Sequence, residues 1–370
     1  MRRSLPAALA RCTLCLTVTI PGALVPAQAA AQRTVPSLDH VFVIMMENRS
    51  YAEVIGNPDA PFINRLAREA NLATRYFAVG HPSLTNYLEL VGGSNFGVSS
   101  DDNPDWHRRQ PGASVVEPIS GSGTDAGTPA ATAPEGKEIA PARYRAVTIA
   151  DQLAAAGKRW KSYQESLPPG GADGVDYADG SFSNRDAPGP AQVQRLYAAK
   201  HDPFVYFAHV QDGTDDHDSL RNVAGFSGRS GLYADLASGK LPDFAFIAPN
   251  QCHDMHGVSG GSAWCTDARM TMRAGDRAVE RIIGAIRRSP AWQRGRNAIV
   301  LLWDENDFSP TPNRVAAIVD TSYGRHGVCS DVGYSHFSLL KTLEQAFGLP
   351  CINHACDANV ASMSDLFSGN

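Results

Sequence analysis

The sequence lacks the marks of several large functional classes. It has no polycationic run and no basic stripe, so nothing argues for a nucleic-acid partner. It has no acidic tail, and its net charge of −5 over 370 residues is mild. No internal repeat is present. There is no G-x-S-x-G elbow, which weakens an ordinary serine-esterase reading. Beyond the N-terminus no segment reads as a membrane span, and no amphipathic basic helix suits a lipid surface, so stable membrane insertion is not expected. The cysteines after the first 31 residues show no paired C-x-x-C spacing, which leaves a cysteine zinc site without support.

What is present points to an exported enzyme. Arg2 and Arg3 precede an apolar stretch from about Leu14 to Val25, followed by the small residues Ala27, Ala29, Ala30 and Ala31. This is the three-part pattern of a secretory signal, and residues 1–31 are read as a cleaved signal peptide. The apolar stretch is short of the ~20 residues of a span, and Pro21 and Gly22 interrupt it. Export to the periplasm or the medium follows. Residues 32–370 are read as a single domain, and 43% hydrophobic residues suffice for a sizeable core. Cys252, Cys265, Cys329, Cys351 and Cys356 remain after cleavage, and an oxidising compartment favours disulfides. Cys252 with Cys265 and Cys351 with Cys356 are the expected local pairs, with one thiol left over.

Short apolar runs alternate with helical patterns. His40 to Met46, Pro203 to His209, Asp243 to Ala248, Ala298 to Trp303 and Arg314 to Val319 read as buried strands, and Lys158 to Gln164 as a weaker one. Helical spacing covers Ala60 to Ala70, Thr148 to Ala156, Ala268 to Arg288 and Ser335 to Phe347, with Gly157 and Gly348 as stops. The alternation predicts an α/β fold, a three-layer sandwich with a largely parallel central sheet. Residues 112–140 are dominated by Gly, Ser, Thr, Ala and Pro and read as a flexible insertion, either a plain surface loop or a lid beside the substrate.

Acids and histidines collect after these runs. Glu47 and Asn48 follow the first, Glu165 follows Gln164, His253, Asp254 and His256 follow the run ending at Ala248, and Asp304, Glu305 and Asp307 follow Trp303. Ligands bind outside the carboxyl ends of strands in open α/β sheets. Converging carboxylates are tolerable when a cation sits between them, and oxygen and imidazole donors suit zinc, manganese, magnesium or calcium. The plainer alternative for Asp304 and Glu305 is a solvated turn or helix cap. Pro82 marks a turn before a helix from about Leu84 to Val91, which places Ser83 at a helix N-terminus. Such a serine is an anion-site residue and potential nucleophile, or simply a cap. The run Gln211 to Asp218 (QDGTDDHD) either holds a second cation or is a solvated loop.

The segments MMENRSY, HPSLTNYLELVGGS, YQESLP, APNQCHDMHG, LLWDEND and GYSHFSLLKTLEQAFGLP together make a set. Through them the chain resembles, from about Val41 to Phe347, the bacterial phosphoesterase family of acid phosphatases and phospholipases C within the alkaline-phosphatase-like superfamily. The resemblance implies an alkaline-phosphatase-like fold and a divalent metal ion held by Glu47, Asn48, Asp304, Glu305 and His336. It implies Ser83 as nucleophile and Asn86 as oxyanion-binding residue, with Thr85 standing where wider relatives carry proline. Asn48 and Asp254 would meet the phosphoryl group of a small phosphorylated substrate, and His256 or His81 would protonate the leaving alcohol. The implied activity is a metal-dependent acid phosphatase acting on monoesters through a phosphoserine. The alternatives are a phospholipase C-type phosphodiesterase, whose relatives tend to carry further C-terminal domains, and a non-catalytic binding protein on the same fold. The chain ends at Asn370, soon after the Ser-His-Phe helix, which favours the phosphatase.

Overall fold

The computed structural model describes residues 34–98, 100–101, 143–167, 183–184, 194–258, 262–307 and 312–368. The expected signal peptide and the insertion at 112–140 lie outside the described residues.

The strands are β1 (His40–Met46), β2 (Asn71–Phe77), β3 (Trp160–Gln164), β4 (Ser183–Asn184), β5 (Gln194–Arg195), β6 (Val223–Gly225), β7 (Phe244–Ala248), β8 (Asn297–Trp303), β9 (Arg314–Thr321), β10 (Cys329–Ser330) and β11 (Tyr334–Ser335). The main helices are α1 (Tyr51–Val54), α2 (Pro61–Glu69), α3 (Ser83–Gly92), α4 (Ile149–Ala155), α5 (Ala208–Asp212), α6 (Leu232–Ser238), α7 (Ala263–Thr266), α8 (Ala268–Arg288) and α9 (His336–Phe347). Nine strands form one sheet in the order β10-β2-β9-β8-β1-β7-β3-β6, with β11 also on β2. The run β8-β1-β7-β3-β6 is parallel throughout. Strands β1, β7 and β8 are apolar nearly end to end because helices cover both faces: every residue of β7 and β8 is buried. Helices α3, α4 and α9 pack together, and α2 and α6 pack on α8, giving the two helical groups of an α/β sandwich.

Local chemistry explains the element ends. α8 begins at Asp267, whose side chain accepts from the Arg269 and Met270 amides. It buries Met272, Val279, Ile282, Ile283 and Ile286 along one face. Asp276, on the same helix, accepts the Phe62 and Ile63 amides at 3.1 and 2.8 Å, so α8 satisfies the free donors at the start of α2. α3 and α9 end on Gly93 and Gly348, both left-handed, where a side chain would be strained.

One expectation needs correction. Pro203 to His209 is not a strand. Pro203–Tyr206 forms a 3₁₀ turn and α5 follows, with Phe207 alone bridging to Tyr144. Pro203 cannot donate to a ladder but suits the first turn of a helix. The buried apolar run Phe204 to Phe207 has no period that separates a strand from a buried helical turn. The sheet is also mixed at one side, since β9 runs antiparallel to both β8 and β2. β2 carries polar residues at Asn71, Thr74 and Arg75 and was hidden from a search for apolar runs. Both local disulfides form, Cys252–Cys265 and Cys351–Cys356, and Cys329 is exposed outside these two pairs.

Candidate active site

The site sits where the register of the sheet delivers it. β1 and β8 pair residue for residue up to Met46 beside Trp303. The next residues, Glu47 and Asp304, therefore leave the same edge of the sheet side by side. The Asp304 amide donates to the Met46 carbonyl at 2.9 Å, and the Glu47 amide to the Asp254 carbonyl at 2.8 Å. Asn48 adopts a positive φ of 48° and donates its amide to Asp304 Oδ1 at 3.1 Å. Glu47, Asp254, Asp304 and Glu305 are thus gathered and buried.

Ser83 is the first residue of α3, with Pro82 at the cap position. Its hydroxyl does not cap the helix. Oγ lies 3.1 Å from Glu47 Oε2 and 3.4 Å from Glu305 Oε1. Asn86, one turn on, accepts the Val79 and Gly80 amides at 3.0 Å and donates to Gly80 O and Glu305 Oε2 at 3.0 and 3.1 Å. It holds the turn that carries His81, whose Nδ1 is 2.8 Å from Glu305 Oε2. His256 donates toward the Gly257 carbonyl through Nδ1 at 2.7 Å, and its backbone amide donates to Asp254 Oδ1 at 2.8 Å. The loop bearing Asp254 and His256 is tied back by the Cys252–Cys265 disulfide and by the Val258 amide on the Cys265 carbonyl at 3.0 Å.

His336 takes a different place. Nε2 is 2.7 Å from the Asp304 carbonyl and Nδ1 is 3.1 Å from the Tyr76 hydroxyl. Both ring nitrogens are engaged behind Asp304, so the ring props the backbone of that acid. The acidic run after Gln211 stays outside the site: Asp215, Asp216 and His217 are exposed, and Asp218 pairs with His209.

Three further residues complete the site. Tyr87 donates to Glu47 Oε1 and stacks on the His201 ring, with centroids 5.4 Å apart. His201 lies between Glu47 Oε1 and Asp254 Oδ2, 3.3 Å from each. Lys200 reaches Asp101 Oδ2 at 2.6 Å. Tyr87 lies within the helical run after Pro82, and His201 belongs to no motif of the sequence. Asp101 and Lys200 are 99 positions apart, a separation that no local pattern bridges.

The electrostatics are costly. Burial first, then Asp304 and Asp254, push Glu47 well above the usual carboxylate range. Burial raises Asp254 and, with Asp304, Glu305, and it lifts Asp304 to about 7. Burial, then Lys200, hold His256 at about 4. Asn48 Oδ1, Asp254 Oδ2 and Asp304 Oδ2 are buried without a hydrogen-bond partner. Unmatched buried oxygens and crowded carboxylates are what a divalent cation would satisfy, so the donor set fits one. Among the described residues, Glu47, His201 and His256 also bring ligand atoms within 4.8 Å of one another. The oxygen-rich group of Glu47, Asn48, Asp304 and Glu305 is the better candidate, because the orphaned atoms of Asn48 and Asp304 belong to it.

The Phosphoesterase family matches residues 57–350. The chain belongs to this family. Members hydrolyse phosphate esters, and the gathered acids and serine stand within the matched region or just before it. Among curated relatives, the phosphatidylinositol-3-phosphatase of Mycobacterium tuberculosis is 26% identical over 338 residues, covering 90% of this chain and 85% of that protein. The phosphate-repressible acid phosphatase of Penicillium chrysogenum is 28% identical over 305 residues, covering 81% of this chain but 58% of that protein. Among solved structures, Ps i-CgsB aligns with a TM-score of 0.50 at 15% identity over 90% of this chain and 76% of that one. That likeness concerns the fold alone, an alkaline-phosphatase-like α/β sandwich.

Proposed function

We propose that this phosphoesterase is an exported acid phosphatase that hydrolyses phosphate monoesters through a phosphoserine on Ser83, with a divalent ion held by Glu47, Asn48, Asp304 and Glu305. The observation that carries this reading is the Ser83 hydroxyl, placed at the start of α3 and within 3.4 Å of two buried carboxylates. The N-terminal signal pattern supports export.

When bound, the ion supplies Lewis acidity, lowering the hydroxyl pKa and offsetting the carboxylate charge. Ser83 Oγ attacks phosphorus, forming a Ser83 O–P bond as the bond to the leaving oxygen breaks. Its hydrogen bond to Glu47 Oε2 marks the route of the departing proton. The start of α3, whose Leu84 amide is taken by Asp101, turns the positive end of the helix dipole toward the phosphoryl oxygens. His81 or His256 gives a proton to the leaving alcohol. Water then cleaves the phosphoserine and releases inorganic phosphate. Both curated relatives named above are phosphatases, which favours a monoester over a diester.

The test is hydrolysis of p-nitrophenyl phosphate and of p-nitrophenyl phosphorylcholine by the mature protein, with and without chelator, and by Ser83→Ala. We expect monoester turnover that falls about 10³-fold or more in Ser83→Ala, as for loss of a covalent nucleophile. Full activity in that variant sinks the nucleophile assignment. Diester turnover without monoester turnover hands the site to the phosphodiesterase reading.

A further inference from the structure

Lys200 belongs to no motif singled out in the sequence, yet it is buried, with the residue 8% exposed. Lysine is seldom buried unless its charge is matched. Nζ lies 2.6 Å from Asp101 Oδ2 and 3.4 Å from His256 Nε2. The neutral His256 ring gives its hydrogen to the Gly257 carbonyl, so Nε2 is the acceptor of that pair. An ammonium has three donors, and these contacts occupy two of them.

Asp101 has a second role. Its Oδ1 accepts the Leu84 amide at 3.0 Å, one of the free donors at the start of α3. Asp101 therefore fastens the ammonium to the mouth of the helix whose first residue is Ser83. From there the charge of Lys200 acts on Glu47, Asp254, Asp304 and Glu305 and lowers each.

We propose that Lys200 is a specificity-determining residue whose Nζ takes a terminal phosphoryl oxygen and so selects a phosphate monoester dianion over a singly charged diester. This rests on the phosphomonoesterase reading above. Among crowded carboxylates, the second negative charge of a monoester is the costliest part of the substrate to admit. A cation with an unused donor answers that charge with a charge-assisted hydrogen bond. A diester carries an esterified oxygen there and gains less from the same contact.

The experiment compares the mature wild type, Lys200→Met and Lys200→Arg on p-nitrophenyl phosphate and bis(p-nitrophenyl) phosphate, with inorganic phosphate binding read by calorimetry. Lys200→Met is expected to lower monoester kcat/KM about 30-fold or more, the scale of one hydrogen bond to a charged group. It is expected to weaken inorganic phosphate about 10-fold and to leave diester kcat/KM within about 3-fold. Lys200→Arg should recover part of the monoester loss. Lys200→Gln replaces Lys200→Met if the latter loses its native circular dichroism. Equal losses on both substrates, or unchanged inorganic phosphate binding, overturn the assignment. A wild type inactive on the monoester overturns the phosphatase reading itself, which is a separate outcome.

Discussion

Two histidines of this protein lie between carboxylates, and their surroundings drive them in opposite directions. His209 sits with Nδ1 2.6 Å from Asp218 and Nε2 2.9 Å from Asp151. Partial burial lowers it, but the hydrogen bonds to Asp151 and Asp218 win and raise it to about 9. His201 sits 3.3 Å from Glu47 and from Asp254. Full burial, then Lys200 and His256, push it well below its usual value. The first cluster is a charge clamp: a cationic ring joins α5 to the N-terminal turn of α4 and to the acidic loop. The second keeps its histidine neutral and leaves four carboxylates in want of positive charge. Similar residue types thus make a stabilising staple at the surface and a costly centre at the sheet edge. Desolvation decides which.

The sharpest way to break this contrast is Asp304→Asn. It is expected to cut monoester turnover about 10²-fold or more. It should also raise the melting temperature of the chelator-treated protein, because one buried like charge is gone. A lowered melting temperature under chelation means the site acids are already satisfied and the contrast fails. Next in size is the disulfide beside the site, which has no counterpart at the His209 clamp. Cys252→Ser with Cys265→Ser opens a tie of sequence separation 13, worth about 3 kcal/mol. Urea unfolding measures this, and kcat should fall with it because the Asp254–His256 loop loses its anchor. Unchanged kcat separates that loop from the chemistry. The smallest effect belongs to the clamp. A raised histidine contributes fully below about 6.5 and loses that contribution as pH climbs through about 9. Wild type should lose about 2 kcal/mol across that window after allowance for partial exposure, and His209→Gln should be flat there. A variant that keeps the wild-type slope rules out the clamp, and kcat at neutral pH should not respond to it.

Much of this was readable from the chain alone, and the parts that were not have physical reasons. Glu47 and Asp304 were legible because each closes a seven-residue buried strand, so the end of an apolar run marks the sheet edge. Ser83 was legible as a helix start from its local sequence, and as the proposed nucleophile only through the family resemblance. Its hydroxyl is aimed by contacts 36 and 222 positions away, which local sequence does not encode. Lys200 and His201 were lost because they precede an apolar run read as a strand, and a 3₁₀ turn buries such residues equally well. His336 was legible as a site residue, but which atom its ring meets depends on Asp304 and Tyr76, brought together only by the fold.

The pairing of β1 with β8 has a consequence for how the protein opens. Glu47 and Asp304 hang from the last rung of a ladder at the centre of the sheet. Amide exchange at Asp304, bonded to Met46, should therefore report global unfolding, while the Glu47 amide, bonded to the Asp254 carbonyl, exchanges with the disulfide-tied Asp254–His256 loop through smaller, local openings. Glu47 and Asp304 should thus keep their spacing through local openings that release the Asp254–His256 loop.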